Sequence, residues 1–114
     1  MTIAAPKSTS REIDLDNGTV IGTSDKWADG GCYCKILTPI GIVGCAIFNL
    51  DVGTEFDEAY AIAKGTPEHP LREPEDLLDA KICGATPRAL AHGISIGMTG
   101  REAAEQFLKV SKNS

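Results

Sequence analysis

The sequence has few aromatic residues and no long apolar run, and both absences restrict the class of protein. Three Phe, two Tyr and one Trp among 114 residues mean that the core is built mainly from Ile, Leu, Val and Ala. No apolar run approaches the roughly 18 residues of a membrane span, so no membrane partner is expected. The length suits one domain. We expect residues 11–114 to form it, after a disordered tail of residues 1–10.

Basic residues are also scarce. The formal net charge is −5, and residues 51–79 hold nine acidic residues against two bases, Lys64 and Arg72. The sequence has no stripe of bases interleaved with aromatic residues, which argues against a nucleic-acid partner. The first residues lack the apolar segment of a signal peptide, so we expect a cytoplasmic protein. Thiols stay reduced in that compartment, and a structural disulfide framework is not expected.

Turn residues in the first half of the chain predict two β-hairpins. Asn17-Gly18 lies between alternating apolar residues and favours a tight turn, so a hairpin is expected near residues 11–23. The segment "TPIG" has its proline and glycine where a type I turn places them. It predicts a second hairpin near residues 31–48.

In the second half, apolar residues recur with the period of a helix, and capping residues mark several helix starts. Phe56, Ala59, Tyr60 and Ala63 fall at i, i+3, i+4 and i+7. The segments predicted as helices are residues 54–65, 73–80, 86–93 and 99–110. A strand, "KICGAT", separates the second from the third. The order predicts an α+β fold in which an antiparallel β-meander packs with three to four helices.

Three of the four cysteines lie within "GCYCKILTPIGIVGCAIF", the second predicted hairpin. If Pro39 and Ile40 form a two-residue loop, Cys34 faces Cys45 across the hairpin, and Cys32 lies on the same face. A three-residue loop would instead turn Cys45 to the other face. The convergence of the three thiols therefore depends on the hairpin register.

Three interpretations of these thiols stay open. Reduced cysteine packs as a small hydrophobic residue, so Cys32 and Cys34 are explained by packing alone. Alternatively, Cys32, Cys34 and Cys45 bind an iron–sulfur cluster or a zinc or iron ion, with Cys83 or a second subunit as fourth ligand. The spacing matches no standard C-x-x-C site, and the two histidines are expected to face solvent. The third interpretation is a nucleophilic or redox-active thiol, which needs an activating neighbour.

A second candidate site is the turn "GMTGRE". Backbone N–H groups at a helix start, beside Arg101, suit a phosphate or carboxylate, so Thr99, Gly100 and Arg101 are candidate ligand-binding residues. The alternative, which we favour, is a capping box in which Thr99 and Glu102 use these amides to start the helix.

Three segments resemble the YunC-like domains, a bacterial and archaeal family of unknown function. "GIVGCAIFN" resembles its Y-V-x-C-G-x-x-N segment, and "AYAIAKG…EPEDLLDAKI" resembles its A-A-x-V-x-G-V-x-T-x-E-D-L-L-x-A-x-V block. "ALAHGISIGMTGREAAEQF" is similar to A-x-E-L-G-I-x-V-G-M-T-G-R-E-A-L-E, the most specific of the three motifs. The resemblance covers roughly residues 11–110.

The resemblance implies a small α+β fold that assembles as a homo-oligomer, without an established activity. It places Cys45 and Asn49 at the C-G-x-x-N positions, with Ala46 where the family has glycine. Cys32 and Cys34 fall where the family has aliphatic residues. We therefore expect a thiol-centred site in which Cys45 is the functional thiol and Asn49 orients a bound group.

In that hypothesis Cys32 and Cys34 are co-ligands of a metal or cluster, or partner thiols of Cys45. The expected partner is a small molecule or a metal ion. Two alternatives belong to other classes of protein. One is a non-catalytic anion-binding or regulatory module that uses the Gly97–Arg101 turn, and the other is an oligomeric scaffold with buried cysteines.

Overall fold

A computed structural model describes residues 7–27, 31–46 and 48–113 of the chain. The strands are β1 Lys7–Leu15, β2 Gly18–Lys26, β3 Cys32–Leu37, β4 Ile42–Cys45, β5 Tyr60–Ala63 and β6 Ile82–Ala85. The helices are α1 Leu50–Glu55, α2 Pro74–Asp79, α3 Pro87–Ala91 and α4 Gly100–Lys112. The strands form one sheet in the order β1-β2-β3-β4-β5-β6. The predicted α+β class is confirmed.

The first hairpin is present, and its first strand starts earlier than expected. Strand β1 begins at Lys7, so residues 7–10, which we assigned to a disordered tail, lie in the sheet; residues 1–6 lie outside the described residues. Leu15 pairs with Gly18 across the turn. The two loop amides donate to the carboxylate of Glu105 on α4, at 3.2 and 3.0 Å. This contact fixes the hairpin end against the last helix.

The second hairpin has the register predicted for a two-residue loop. Leu37 pairs with Ile42, and Lys35 with Gly44. The Thr38 amide donates to the Gly41 carbonyl oxygen at 2.9 Å, which closes the turn.

The predicted helix over residues 54–65 is wrong beyond its first two residues, because residues 56–59 are not helical and Tyr60–Ala63 form strand β5. Helix α1 ends at Glu55, and the chain turns at Asp57, which has a φ of 56°. Strand β5 then lies between β4 and β6, parallel to β4 and antiparallel to β6. Three of its residues are buried, as expected for an apolar strand covered on both faces. One strand pair of the meander is therefore parallel.

The remaining predicted elements are confirmed, and they build the core on one face of the sheet. Thr86 caps α3, and Thr99 with Glu102 forms the capping box of α4. Helices α2 and α4 pack against β2, β3 and β4. The largest fully buried apolar side chains of this core are Val20, Ile36, Val43, Leu77, Ile82 and Phe107. Among the described residues, no helix is long and apolar enough to cross a bilayer.

Candidate functional site

The hairpin register brings two of the predicted site thiols into contact. Beyond the pair of Lys35 and Gly44, the next opposite positions are Cys34 and Cys45. The two side chains form a hydrogen bond. Cys34 has no exposed surface, whereas Cys45 keeps 8% of its surface exposed at the end of β4. All four cysteines of the chain are thiols rather than disulfides.

The surroundings of Cys34 keep its thiol protonated. The hydrogen bond to Cys45 raises the pKa of Cys34 well above its ordinary value, and burial raises it further. A negative charge on Cys45, Cys32 or Asp76 would act in the same direction. Because Cys34 keeps its proton, it serves as an S–H donor beside Cys45.

The third thiol, Cys32, lies at the same end of the sheet and contacts the loop that joins β5 to α2. It is half-buried, and its Sγ donates to the Leu71 carbonyl oxygen at 3.7 Å. One strand away, Ser24 pairs with Cys34 and its hydroxyl donates to the Arg72 carbonyl oxygen at 2.9 Å. The sheet thus holds two consecutive carbonyls of this loop.

The structure does not gather the ligand set of a metal centre. In residues 7–27, 31–46 and 48–113, no group of three or more His, Cys, Asp and Glu side chains is placed to hold a metal ion. Cys83, the suggested fourth ligand, is exposed on β6, two strands from β4. His69 is exposed. The ring of His92 packs against the ring of Phe107, with 6.4 Å between the ring centroids.

Asn49 has a structural task that the sequence interpretation missed. Its Oδ1 accepts hydrogen bonds from the amides of Asp51 at 2.8 Å and Val52 at 3.2 Å, so it is the N-cap of α1. Asparagine is among the strongest N-cap residues because its side-chain oxygen satisfies helix amides that have no partner within the helix.

Substitutions at Asn49 separate capping from a role of its amide NH₂ group. We expect Asn49→Ala to lower the free energy of unfolding by about 1 kcal/mol, and Asn49→Asp to stay close to wild type, because aspartate caps equally well. Urea denaturation measures both. If aspartate is as damaging as alanine, the amide nitrogen has a further role.

The predicted ligand-binding turn uses its amides within the protein. Thr99 Oγ1 accepts from the Glu102 amide at 3.1 Å, and Glu102 accepts from the Thr99 amide at 3.0 Å. The Gly100 amide donates to the Ala80 carbonyl oxygen at 2.8 Å. Arg101 is exposed. The capping box is confirmed, and these three amides are already engaged in protein hydrogen bonds.

The structure also contains a groove that we did not predict. Residues 64–72 and helix α2, with Ala80 and Lys81, enclose about 830 Å³ of open volume. The sequence marks this loop only by its two prolines, Pro67 and Pro70, which indicate irregular structure. The groove lies beside the thiols, since Leu71 both lines it and accepts the hydrogen bond from Cys32.

Comparison with known proteins identifies the family. The family model described as a domain of unknown function, DUF1805, matches residues 44–107, more than half of the chain. This chain belongs to the DUF1805 family. The YunC-like domains are this family, so the resemblance seen in the sequence is confirmed. The matched segment includes Cys45 and Asn49 but not the two cysteines of β3.

One solved structure shares the fold of this DUF1805 protein. It is the crystal structure of a protein of unknown function, TA1206, from Thermoplasma acidophilum. The TM-score is 0.77 over 94% of this chain and 99% of that chain, at 15% sequence identity. This likeness shows the fold alone. No curated protein matches the chain.

Proposed function

We propose that this DUF1805 protein carries a redox-active dithiol formed by Cys45 and Cys34. The observation that supports it is the hydrogen bond between the two thiols, which face each other across the β3–β4 hairpin. Thiols in contact need little movement to form a disulfide. Cys45 is the family motif cysteine, and Cys34 supplies its partner.

The reaction proposed is thiol–disulfide exchange with a low-molecular-weight disulfide. The Cys45 thiolate attacks one sulfur of that disulfide, its S–S bond breaks, and one thiolate leaves. The sulfur of Cys34 then attacks Cys45 in the mixed disulfide, and its proton passes to the second departing thiolate. The protein loses two electrons and forms one disulfide, and the reagent is reduced to two thiols.

Cys34 and Cys45 differ in burial, and this difference indicates which thiol reacts first. Cys34 is fully buried and its pKa is raised, so it is a poor first nucleophile. Cys45 keeps 8% of its surface exposed and accepts the hydrogen bond from the Cys34 S–H group. Cys45 therefore attacks first and Cys34 resolves the mixed disulfide.

Oxidation by glutathione disulfide tests this order. In a Cys83→Ser background, which removes the exposed thiol of β6, we expect an intramolecular Cys34–Cys45 disulfide in the folded protein. The variant that also carries Cys34→Ala should stop at a mixed disulfide on Cys45. Peptide mass spectrometry after blocking of remaining thiols identifies both products. If Cys45 is unmodified while the protein stays folded, the proposal fails.

A metal ion or iron–sulfur cluster at the same thiols is a second proposal. Its support is the third thiol, Cys32, which lies two residues from Cys34 on β3 and therefore on the same face of the sheet. Cys32 would have to leave the Leu71 carbonyl oxygen to act as a ligand. Elemental analysis and visible absorbance of protein purified without oxygen test this form. Metal in proportion to subunits, lost in Cys32→Ser, supports it, and metal-free protein rules it out.

A further inference from the structure

We propose that the groove between residues 64–72 and helix α2 is a binding site for a small organic acid whose carboxylate or phosphate group lies between Lys64 and Lys81. No cysteine of the described residues lines this groove. The site is therefore separate from the dithiol, and the proposal stands whether or not the thiols react.

Both lysines line the groove, at the ends of neighbouring strands. Ala63 and Ile82 form the last pair of the antiparallel β5–β6 ladder, Lys64 follows Ala63, and Lys81 precedes Ile82. Both lysines are exposed. Neither lysine forms an ion pair with a carboxylate in the part of the chain that the structure describes. An anion bound between them would be attracted by both positive charges.

The size and walls of the groove suit a small molecule. Its volume of about 830 Å³ falls in the range of ligand pockets. Pro70, Leu71 and Ala80 supply apolar wall, and Arg72 adds a third cationic side chain to the lining.

The acidic residues of the groove narrow the class of ligand. Asp76 accepts hydrogen bonds from the amides of Arg72 at 3.1 Å and Glu73 at 2.9 Å, so its Oδ2 is occupied. Glu68 and Asp79 also line the groove, and both are exposed. Carboxylates accept hydrogen bonds but donate none. They favour an acid that also carries hydroxyl or amino groups over a simple inorganic anion.

Four probes show which anionic group the site prefers. Citrate and L-aspartate carry carboxylates, glycerol phosphate carries a phosphate group, and inorganic phosphate is the simple anion. Each is titrated into ¹⁵N-labelled full-length protein. We expect saturable shifts of the amides of residues 80–81 and of the non-proline residues in 64–72 with at least one organic probe. Inorganic phosphate should bind more weakly, because it does not match the apolar wall or the groove carboxylates.

Matched lysine variants decide the outcome. Lys64→Gln and Lys81→Gln should each weaken binding of the best probe about tenfold, the loss expected for one charged hydrogen bond. Lys7→Gln, an exposed lysine at the start of β1, should leave binding unchanged. Both groove variants should fold with an unchanged melting temperature, because both lysines are exposed and form no ion pair with a described carboxylate. Saturation by none of the organic probes, or equal binding by all variants, overturns the proposal.

Discussion

Replacing Gly100 with alanine is expected to lower the free energy of unfolding by about 3 kcal/mol or more, enough to unfold a marginal domain. A Cβ atom at this position would lie 1.8 Å from the Leu77 carbonyl oxygen and 2.7 Å from the carbonyl carbon. Both are backbone atoms of α2, which cannot rotate away as a side chain can. The start of α4 would have to leave α2, and the hydrogen bond from the Gly100 amide to the Ala80 carbonyl oxygen would be lost.

Gly97→Ala is the matched control, three residues earlier in the same turn. Gly97 has a φ of +98°, and a Cβ atom there would have no described atom within 4 Å, so alanine meets backbone strain but no contact. We expect a cost of about 1 kcal/mol. Urea denaturation of both variants measures the difference. Equal losses would mean that α2 and α4 are not held together as closely as the structure shows.

The second large effect is expected at alkaline pH. The pKa of Cys34 is raised in the folded protein, while in the unfolded chain the thiol has its ordinary value of about 8.5. Below that value both states are protonated and the full stability is present. Above it the unfolded chain loses a proton that the folded protein keeps, so stability falls by about 1.4 kcal/mol per pH unit from this group.

The contribution of Cys34 can be isolated by comparing how steeply the free energy of unfolding falls with pH in the wild type and in cysteine variants. Urea denaturation between about pH 8 and pH 10 should show a steeper loss for wild type than for Cys34→Ala, which has no thiol to ionise. Cys83→Ser should keep the wild-type slope, because it leaves Cys34 and Cys45 unchanged. Parallel slopes for wild type and Cys34→Ala would contradict the protonated state of Cys34 on which the proposed order of reaction depends.

The hairpin register shows how much local sequence determines. The segment "TPIG" allows a two-residue loop, and the even length of that loop is enough to place Cys34 opposite Cys45. The capping residues of α4 are equally local, since Thr99 and Glu102 satisfy amides within one helical turn. Signals of this kind act over a few residues and can be read from the chain directly.

Strand β5 shows where such reasoning fails. The apolar residues of the segment recur with helical spacing from Phe56 to Ala63, but Tyr60–Ala63 also form a continuous apolar run. Periodicity alone does not distinguish a short buried strand from a helix. The strand conformation of these residues depends on a parallel pairing with β4 and an antiparallel pairing with β6. Both partners lie outside the segment, so no pattern within residues 54–65 reveals them.

Patterns within the sequence are sufficient for the fold class, the family and most element positions, and they make the meeting of Cys34 with Cys45 depend on one loop length. Tertiary packing was needed to show that Cys32 contacts the loop before α2 and that a groove lies beside it. It also brought Lys64 and Lys81 to the lining of that groove. Most of these features depend on contacts between segments far apart in the chain, and such contacts form only when the sheet and helices pack.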